Sequence, residues 1–474
     1  MSRHADLIVL GAGPAGANAA IAAAGAGLSV VLLDEQDAAG GQVWRVPWPG
    51  LVREARSSEA RDGDRLRARL AASRVEALFG RRIWSVTRSF HVDAIGPGGN
   101  ETFTAPRLVA ALGARERVVP FPGWTLPGIV GLAAATVLLK SHAVLPGQRV
   151  VVAGCGPLLA AVAAAIVKAG GTVAAVADLA SPRDWLAATP LLATRPRLLA
   201  QGAGWVLKLA AGGVPVYFRH GVACAEGSGQ VERVTLAPVD ADGRPCGGVA
   251  TVIKADALCV GHGLIPAAEI TKLLRARHVY NRRKGGWVPE LDAFGRTSVP
   301  DLFAIGDGAG IGGVASAEIA GKLAGLAAAK DAGALPADAF ARMTPPLRRK
   351  LGRLSVFSAA MARMMSLRAA QVAAIAADTV ICRCEDVTRR EIDAAFEAGA
   401  REVNQLKHFT RCGMGPCQGR MCGDVAAQLL AQRLGSREAV GHWTGRPPLR
   451  PIALDTLIGD FDYGDIPIPE PAPL

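Results

Sequence analysis

Nine cysteines are spread unevenly along the 474-residue chain. Cys155, Cys224, Cys246 and Cys259 stand apart, while Cys382, Cys384, Cys412, Cys417 and Cys422 fall within 41 residues. In a reducing compartment, thiols grouped at short spacings act as metal ligands more often than as disulfides. The ICRCEDVT segment places Cys382 and Cys384 two apart, and 32 residues separate Cys384 from Cys417 in the Gly-rich TRCGMGPCQGRMCGD run. Soft thiolate donors at such spacings suit an iron–sulfur cluster, with zinc as the chemical rival. Five thiols compete for four positions. The other cysteines form no Cys-x-x-Cys or Cys-x4-Cys pair, which argues against disulfide exchange. Cys224, Cys246 and Cys259 read as small hydrophobes or inert thiols.

A second group of residues suits phosphate. In Gly11-x-Gly13-x-x-Gly16 the first glycine permits a tight turn, the second lets a pyrophosphate approach the backbone, and the third lets helix and strand pack closely. Pro14 and Ala15 complete the loop, and Asp34 lies 18 residues beyond Gly16 with Glu35 beside it, at a strand end where a carboxylate can accept ribose hydroxyls. A near copy follows at Gly154-Cys155-Gly156, with Asp178 at the next strand end, but Leu159 stands at the third glycine position. Bulk there crowds helix against strand, so NAD(P) or another adenine nucleotide in this second fold stays open against an empty or repurposed fold. Arg183 does not choose between NADP and NAD.

The elements that must position these groups are legible from pattern. Residues 6–35 read as strand, glycine turn, Ala-rich helix and strand, and residues 148–178 repeat that unit. Residues 297–325 have strand-loop-helix character that returns to the first fold, so the second fold is an insertion. We expect an α/β protein with a first nucleotide-binding domain over 1–143 and 255–330, a second fold over 144–254, a helical linker over 331–378, a cysteine module over 379–435 and a Pro-rich tail over 436–474. In the linker, Met361, Met364 and Met365 could dock a partner or pack within the chain.

Composition bounds the rest. Half of the residues are hydrophobic and 20% are charged, enough for sizeable cores and against disorder. Lys plus Arg number 53 against 41 Asp plus Glu, a formal charge of +12, yet no basic run interleaved with aromatics marks a nucleic-acid surface. The charge-free stretches 7–33 and 150–167 are long enough for a membrane span but are broken by glycine and proline, so no transmembrane segment is expected. Asp6 interrupts the start and no cleavage site follows, so no signal peptide is expected. The expected address is cytoplasmic, with peripheral membrane association through a complex left open. No Ser/His/Asp set or carboxylate pair accompanies the motifs, no catalytic side chain is assigned, and His262 reads as a structural loop residue.

Over residues 1–330 the chain resembles the two-dinucleotide-domain flavoproteins, through Gly40-Gly41-Gln42, Ala111-Leu112-Gly113-Ala114 and Gly306-Asp307. That resemblance implies FAD on the first fold, with Gly41, Gln42, Ala111, Gly113, Gly306 and Asp307 among its contacts; Asp307 holds the ribityl or phosphate, a role compatible with capping a helix. The cysteine pattern resembles the bacterioferritin-associated-ferredoxin type of [2Fe-2S] domain. This implies Cys382, Cys384 and Cys417 as ligands with Cys422 as the fourth, and Cys412 as the alternative fourth ligand. Together the parts resemble the A or alpha subunits of heteromeric amine dehydrogenases, the family of the opine oxidase A subunit, the hydrogen cyanide synthase B subunit and D-hydroxyproline dehydrogenase alpha. The resemblance implies one subunit of an oxidoreductase for CH–NH donors. It would relay electrons from a flavoprotein beta subunit that oxidises the amine, and a further partner would be a small separate [2Fe-2S] ferredoxin-like subunit. The sequence departs from the sarcosine oxidase alpha pattern in carrying the cluster cysteines, and no folate-binding extension or tetrahydrofolate coupling is expected. Two other readings stay open: a self-sufficient NAD(P)H-dependent flavin oxidoreductase, and a non-catalytic iron-handling or scaffold module.

Overall fold

The computed structural model describes residues 3–48, 50–51 and 58–456. The final PIPEPAPL run of the expected tail lies outside them. The first nucleotide fold is a five-stranded parallel sheet in the spatial order Leu302–Ala304, Leu108–Ala110, Leu7–Leu10, Val30–Leu33, Glu76–Leu78. Its central strands are buried on both faces, which is why they read as unbroken aliphatic runs rather than alternating ones. A second layer, with strands Arg82–Val86, His91–Gly96 and Gly99–Thr104, covers one face through Val92, Ala94 and Phe103.

Two helices drawn from opposite ends of this fold close the other face. Pro14–Gly25 and Val314–Asp331 pack so tightly that a Cβ added to Gly321 would lie 2.1 Å from the Ala15 carbonyl oxygen, and one on Gly325 would lie 2.2 Å from that of Ala19. Small residues on both partners make that approach, and no side chain can rotate away from a backbone clash. Gly321→Val is therefore expected to cost roughly 3 kcal/mol by overpacking. The exposed helical Gly352, whose Cβ would meet nothing within 4 Å, supplies the control: thermal unfolding of G352V should stay close to that of the native chain.

The second nucleotide fold is also parallel, in the order Ile129–Gly131, Ala257–Gly261, Arg149–Gly154, Thr172–Asp178, Val216–Phe218. Two of these strands lie outside the expected 144–254 span. Short apolar runs without a glycine fingerprint carried no signal of their sheet partners, so the expected boundaries cut the sheet. The antiparallel strands His220–Glu226, Arg233–Pro238 and Thr251–Lys254 cover one of its faces. Leu159, in place of the third glycine, is buried with Val162 and Ile166 in the core beneath its helix Leu158–Lys168.

The linker forms the long helix Ala337–Met364. Met361 and Met364 are buried against Ala180, Leu192 and Trp185 of the second fold, so this Met-rich face packs within the chain rather than receiving a partner. The cysteine module follows as the hairpin of Val380–Cys382 with Val387–Thr388, then helices Arg389–Glu397, Val403–Thr410 and Gly423–Leu434. Thr388 and Glu391 cap the first of these reciprocally. The tail expected from 436 begins later. Helix Arg437–Val440 and Trp443 belong to the module, with Val440 in its core and Trp443 packed against it. Among the described residues no helix is long and apolar enough to cross a membrane.

Candidate functional site

The glycine loop sits at the carboxyl end of Leu7–Leu10. Gly11 adopts φ +99°, and the missing side chain of Gly16 matters most: a Cβ there would lie 1.8 Å from the Gly11 carbonyl oxygen. Above Gly13 the space is open, its Cβ position meeting only the Gly41 Cα at 3.8 Å. Tight packing below and open backbone above form the cradle a pyrophosphate needs, with Pro14 opening the helix that points at it. Gly40 closes over the loop by donating its amide to the Ala12 carbonyl at 3.0 Å. Gly41 and Gln42 follow at the rim, where Gln42 is exposed and accepts from Arg45 at 3.0 Å.

Asp34 and Glu35 divide their work. Asp34 is buried and accepts the amides of Ala12, at 2.5 Å, and Gln36, at 2.8 Å. Burial raises its pKa against the lowering effect of those amides. Its carboxylate organises the loop from below, and Glu35, exposed one residue on, is the carboxylate left facing solvent. Ala111 stacks its carbonyl under Gly11, Gly113 turns the chain at φ +71°, and Gly306 packs on Ala15. Asp307 accepts the amides of Gly312 and Gly313 at 2.9 and 3.0 Å through a single oxygen, Oδ1, at the entry to Val314–Asp331. Both amides precede the helix, whose N-cap Gly313 has no side-chain cap, so Asp307 braces the entry loop rather than capping the helix, with its second oxygen outside these bonds.

In the cysteine module the Sγ atoms of Cys382, Cys412 and Cys422 all lie within 4.8 Å of one another. Cys384 faces Cys417, whose amide and thiol both reach it. The five thiols thus fall into a trio and a pair, and Cys412, the residue expected to be spare, stands with Cys382 and Cys422, while Cys384 and Cys417 stand together beside Gly415. Hydrogen bonds from the Cys412 and Cys422 thiols and from the amides of Gly413 and Glu385 push the Cys382 pKa down and favour its thiolate. Gly415 is required where it stands, since a Cβ would lie 2.3 Å from the Cys384 Cβ. Trp443 roofs the loop, within 2.9 Å of the Cβ positions of both Gly413 and Gly423, and donates to the Gly423 carbonyl at 3.1 Å. A set of soft donors with amides aimed at sulfur fits an iron–sulfur cluster better than a site of harder ligands.

The module is bolted to the nucleotide folds by charge. Arg117 is 3% exposed; it donates to Asp424 at 2.8 Å and to the carbonyls of His262, Met365 and Gly285 at 2.9–3.2 Å. Arg437 completes the triad on the other oxygen of Asp424 at 2.9 Å. Trp124 donates to the Val380 carbonyl at 2.6 Å, next to the cysteine hairpin. Between these contacts lies a cavity of about 150 Å³ lined by Glu116, His262, Trp124, Arg383 and Met421 among others. His262 is buried and neutral, its pKa pushed down to about 3, as a loop residue with a structural role would be. Cys155 and Cys259 are buried with thiol pKa values pushed up to about 12, and are inert.

Glu116 was not singled out by sequence, nor were Arg117, Asp424, Arg437 and Trp443. Glu116 accepts the Ala133 amide, and burial raises its pKa to about 7. Its folded pKa lies above the ordinary value of 4.5, so its contribution to stability is full below that value and is lost as pH rises through about 7. Glu116→Gln keeps an acceptor without the charge. The stability of E116Q relative to the native chain should shift in the variant's favour by about 3 kcal/mol between pH 4 and pH 8, as read from denaturant midpoints.

The fold and site define a two-dinucleotide-domain flavoprotein that carries a cysteine module. A family model described as pyridine nucleotide-disulphide oxidoreductase matches residues 5–333, and one described as sarcosine oxidase A3 domain matches residues 376–460. Hydrogen cyanide synthase subunit HcnB of Pseudomonas aeruginosa is 34% identical over 468 residues, covering 94% of this chain and 96% of that one. The opine oxidase A subunit of Rhizobium meliloti is 32% identical over 469 residues, covering 95% and 87%. The crystal structure of L-proline dehydrogenase from P. horikoshii shares the fold, with a TM-score of 0.70 at 20% identity over 97% of this chain and 80% of that one. The chain belongs to the family of flavoprotein oxidoreductase subunits that includes HcnB and the opine oxidase A subunit.

Proposed function

We propose that this chain is the electron-transfer subunit of a heteromeric amine or imino-acid dehydrogenase, holding FAD on its first nucleotide fold and a [2Fe-2S] cluster on its cysteine module. A flavin takes up two electrons and a cluster passes them singly, so the pair converts two-electron into one-electron transfer. Gly11, Gly13, Pro14, Ala15 and Gly16 would cradle the pyrophosphate, and Glu35 would accept the ribose hydroxyls while Asp34 braces the loop. Gly41, Gln42, Ala111, Gly113, Gly306 and Asp307 would border the rest of the cofactor. Cys382, Cys384, Cys417 and Cys422 would ligate the cluster.

The observation that carries this reading is the buried Arg117–Asp424–Arg437 triad, which fixes the cysteine loop against the nucleotide folds. A relay needs its two centres at a constant separation. The partner in this reading is a separate flavoprotein beta subunit that oxidises the amine. A small ferredoxin-like subunit would be a further member, and the cytoplasm the location. The names of the relatives, which are themselves subunits, support a partner chain.

The test is to purify the chain alone and with its co-expressed partner, quantify flavin and iron, and add candidate amines without oxygen. Bleaching of flavin and cluster absorbance only in the complex is expected. A chain without flavin or iron, or one that amines reduce unaided, would sink the reading. The rival reading, a self-sufficient reductase, predicts bleaching by NADH or NADPH without any partner.

A further inference from the structure

An open α/β fold takes its nucleotide outside the carboxyl ends of the strands, where the strand order reverses. In the second fold that crevice lies beyond Gly154, Asp178 and Gly261, the last residues of three adjacent strands. One stretch of the same chain, residues 365–371, makes contacts along all of it. A Cβ on Gly156, the second glycine of the loop, would lie 2.7 Å from Met365 Cγ and 3.2 Å from its Sδ. A Cβ on Gly263, two residues past Gly261, would lie 2.4 Å from the Met365 carbonyl oxygen, which also accepts from Arg117 at 3.2 Å.

The acid end of the crevice is equally engaged. Arg368 donates to the carbonyls of Leu179, at 2.6 Å, and Ala241, at 3.1 Å. Asp178, the carboxylate placed for a ribose, accepts instead from the Ala180 amide at 2.9 Å and from Trp185 Nε1 at 2.8 Å. Gln371 Nε2 lies 3.1 Å from His262 Nε2, closing the third strand end. The glycines themselves are accounted for without any ligand: Gly154 lets the Gly261 carbonyl approach to 1.9 Å of its Cβ position, and Gly156 admits Met365.

We propose that the second nucleotide fold is a socket for residues 365–371 and takes no dinucleotide: Met365 rests on Gly156 where a pyrophosphate would, and Arg368 crosses the strand end a ribose would need. The segment joins the long helix Ala337–Met364 to Ala369–Ala373 and the cysteine module beyond. Docking it sets where the module stands. The fold thereby serves as a fixed mount, and a nicotinamide has no port on it. This goes beyond the relay reading and requires neither flavin nor cluster.

The experiment measures binding of NADH and NADPH to the full chain and to the double variant Met365→Gly, Arg368→Ala. The expected result is no binding at the second fold of the native chain and, in the variant, affinity raised by about tenfold or more. Hydrogen exchange on the native chain keeps the test independent of the variant's folding. With millimolar NADH, amides in residues 154–160 and 365–371 should exchange unchanged. Protection of 154–160 together with faster exchange of 365–371 would overturn the proposal, as would native binding that Gly156→Val removes. Native binding that Gly156→Val leaves intact lies elsewhere and supports it. Absence of flavin or iron, which would sink the relay reading, leaves each of these readouts in place.

Discussion

Asp424→Asn is expected to destabilise the chain by about 3–5 kcal/mol, because it leaves two buried guanidinium groups facing a neutral side chain. Arg117 and Arg437 share the Asp424 carboxylate at 2.8 and 2.9 Å, with all three side chains 3–8% exposed. Arg117 keeps three carbonyl acceptors but loses the one carboxylate it pairs with among the described residues. The pH dependence supplies a sharper signature. Although burial raises the pKa of Asp424, the Arg437 and Arg117 charges outweigh it and hold the group at about 2, below the ordinary 3.8. Its stabilisation is therefore full above the ordinary value and lost as pH falls through about 2. Denaturant unfolding of D424N should lack that acid-side loss while being weaker at neutral pH. Equal stability of D424N and native chain at pH 7 would remove the triad from the account of how the module is held.

Cys382→Ala is expected to lower iron from about two per chain to near zero while flavin content is unchanged. Electron passage to an external acceptor should fall by more than about a hundredfold, beyond the 10–100-fold that losing a supporting partner brings. Cys382 is the sulfur that both Cys412 and Cys422 approach, so its loss removes the centre of that trio. The companion series decides the fourth ligand. C384A, C417A and C422A should behave as C382A does, and C412A should keep its iron. If C412A loses iron and C422A retains it, the assignment at the fourth position reverses. Retention of iron by C382A would remove the cluster from this loop.

The glycine loop was legible because close approach leaves no choice of residue. Gly16 cannot bear a Cβ 1.8 Å from a carbonyl oxygen, and that steric demand is written as a spacing. The paired folds were legible for the same reason. The division between Asp34 and Glu35 was not, since both are acids at one strand end and only three-dimensional burial separates them. The Arg117–Asp424 pair joins residues 307 apart, and a lone arginine among 53 basic residues carries no mark of its partner. Trp443 was lost for a simpler reason: proline beyond it suggested extended chain, while its ring lies on the cysteine loop. Met365 read as part of a Met-rich face, and its seat on Gly156 depends on a helix of 28 residues delivering it there.

The helix pair that closes the first fold has a consequence for synthesis. Pro14–Gly25 must wait for Val314–Asp331, and the sheet must wait for Leu302–Ala304, which pairs with Leu108–Ala110. Every strand of the second sheet lies between those points. As the chain leaves the ribosome from its amino end, the inner fold therefore has its full set of strands while the outer one still lacks an edge strand and a covering helix. Domains tend to fold as units in order of emergence. Here nesting inverts that order, so the outer fold, first to begin, is completed around an inner one already in place.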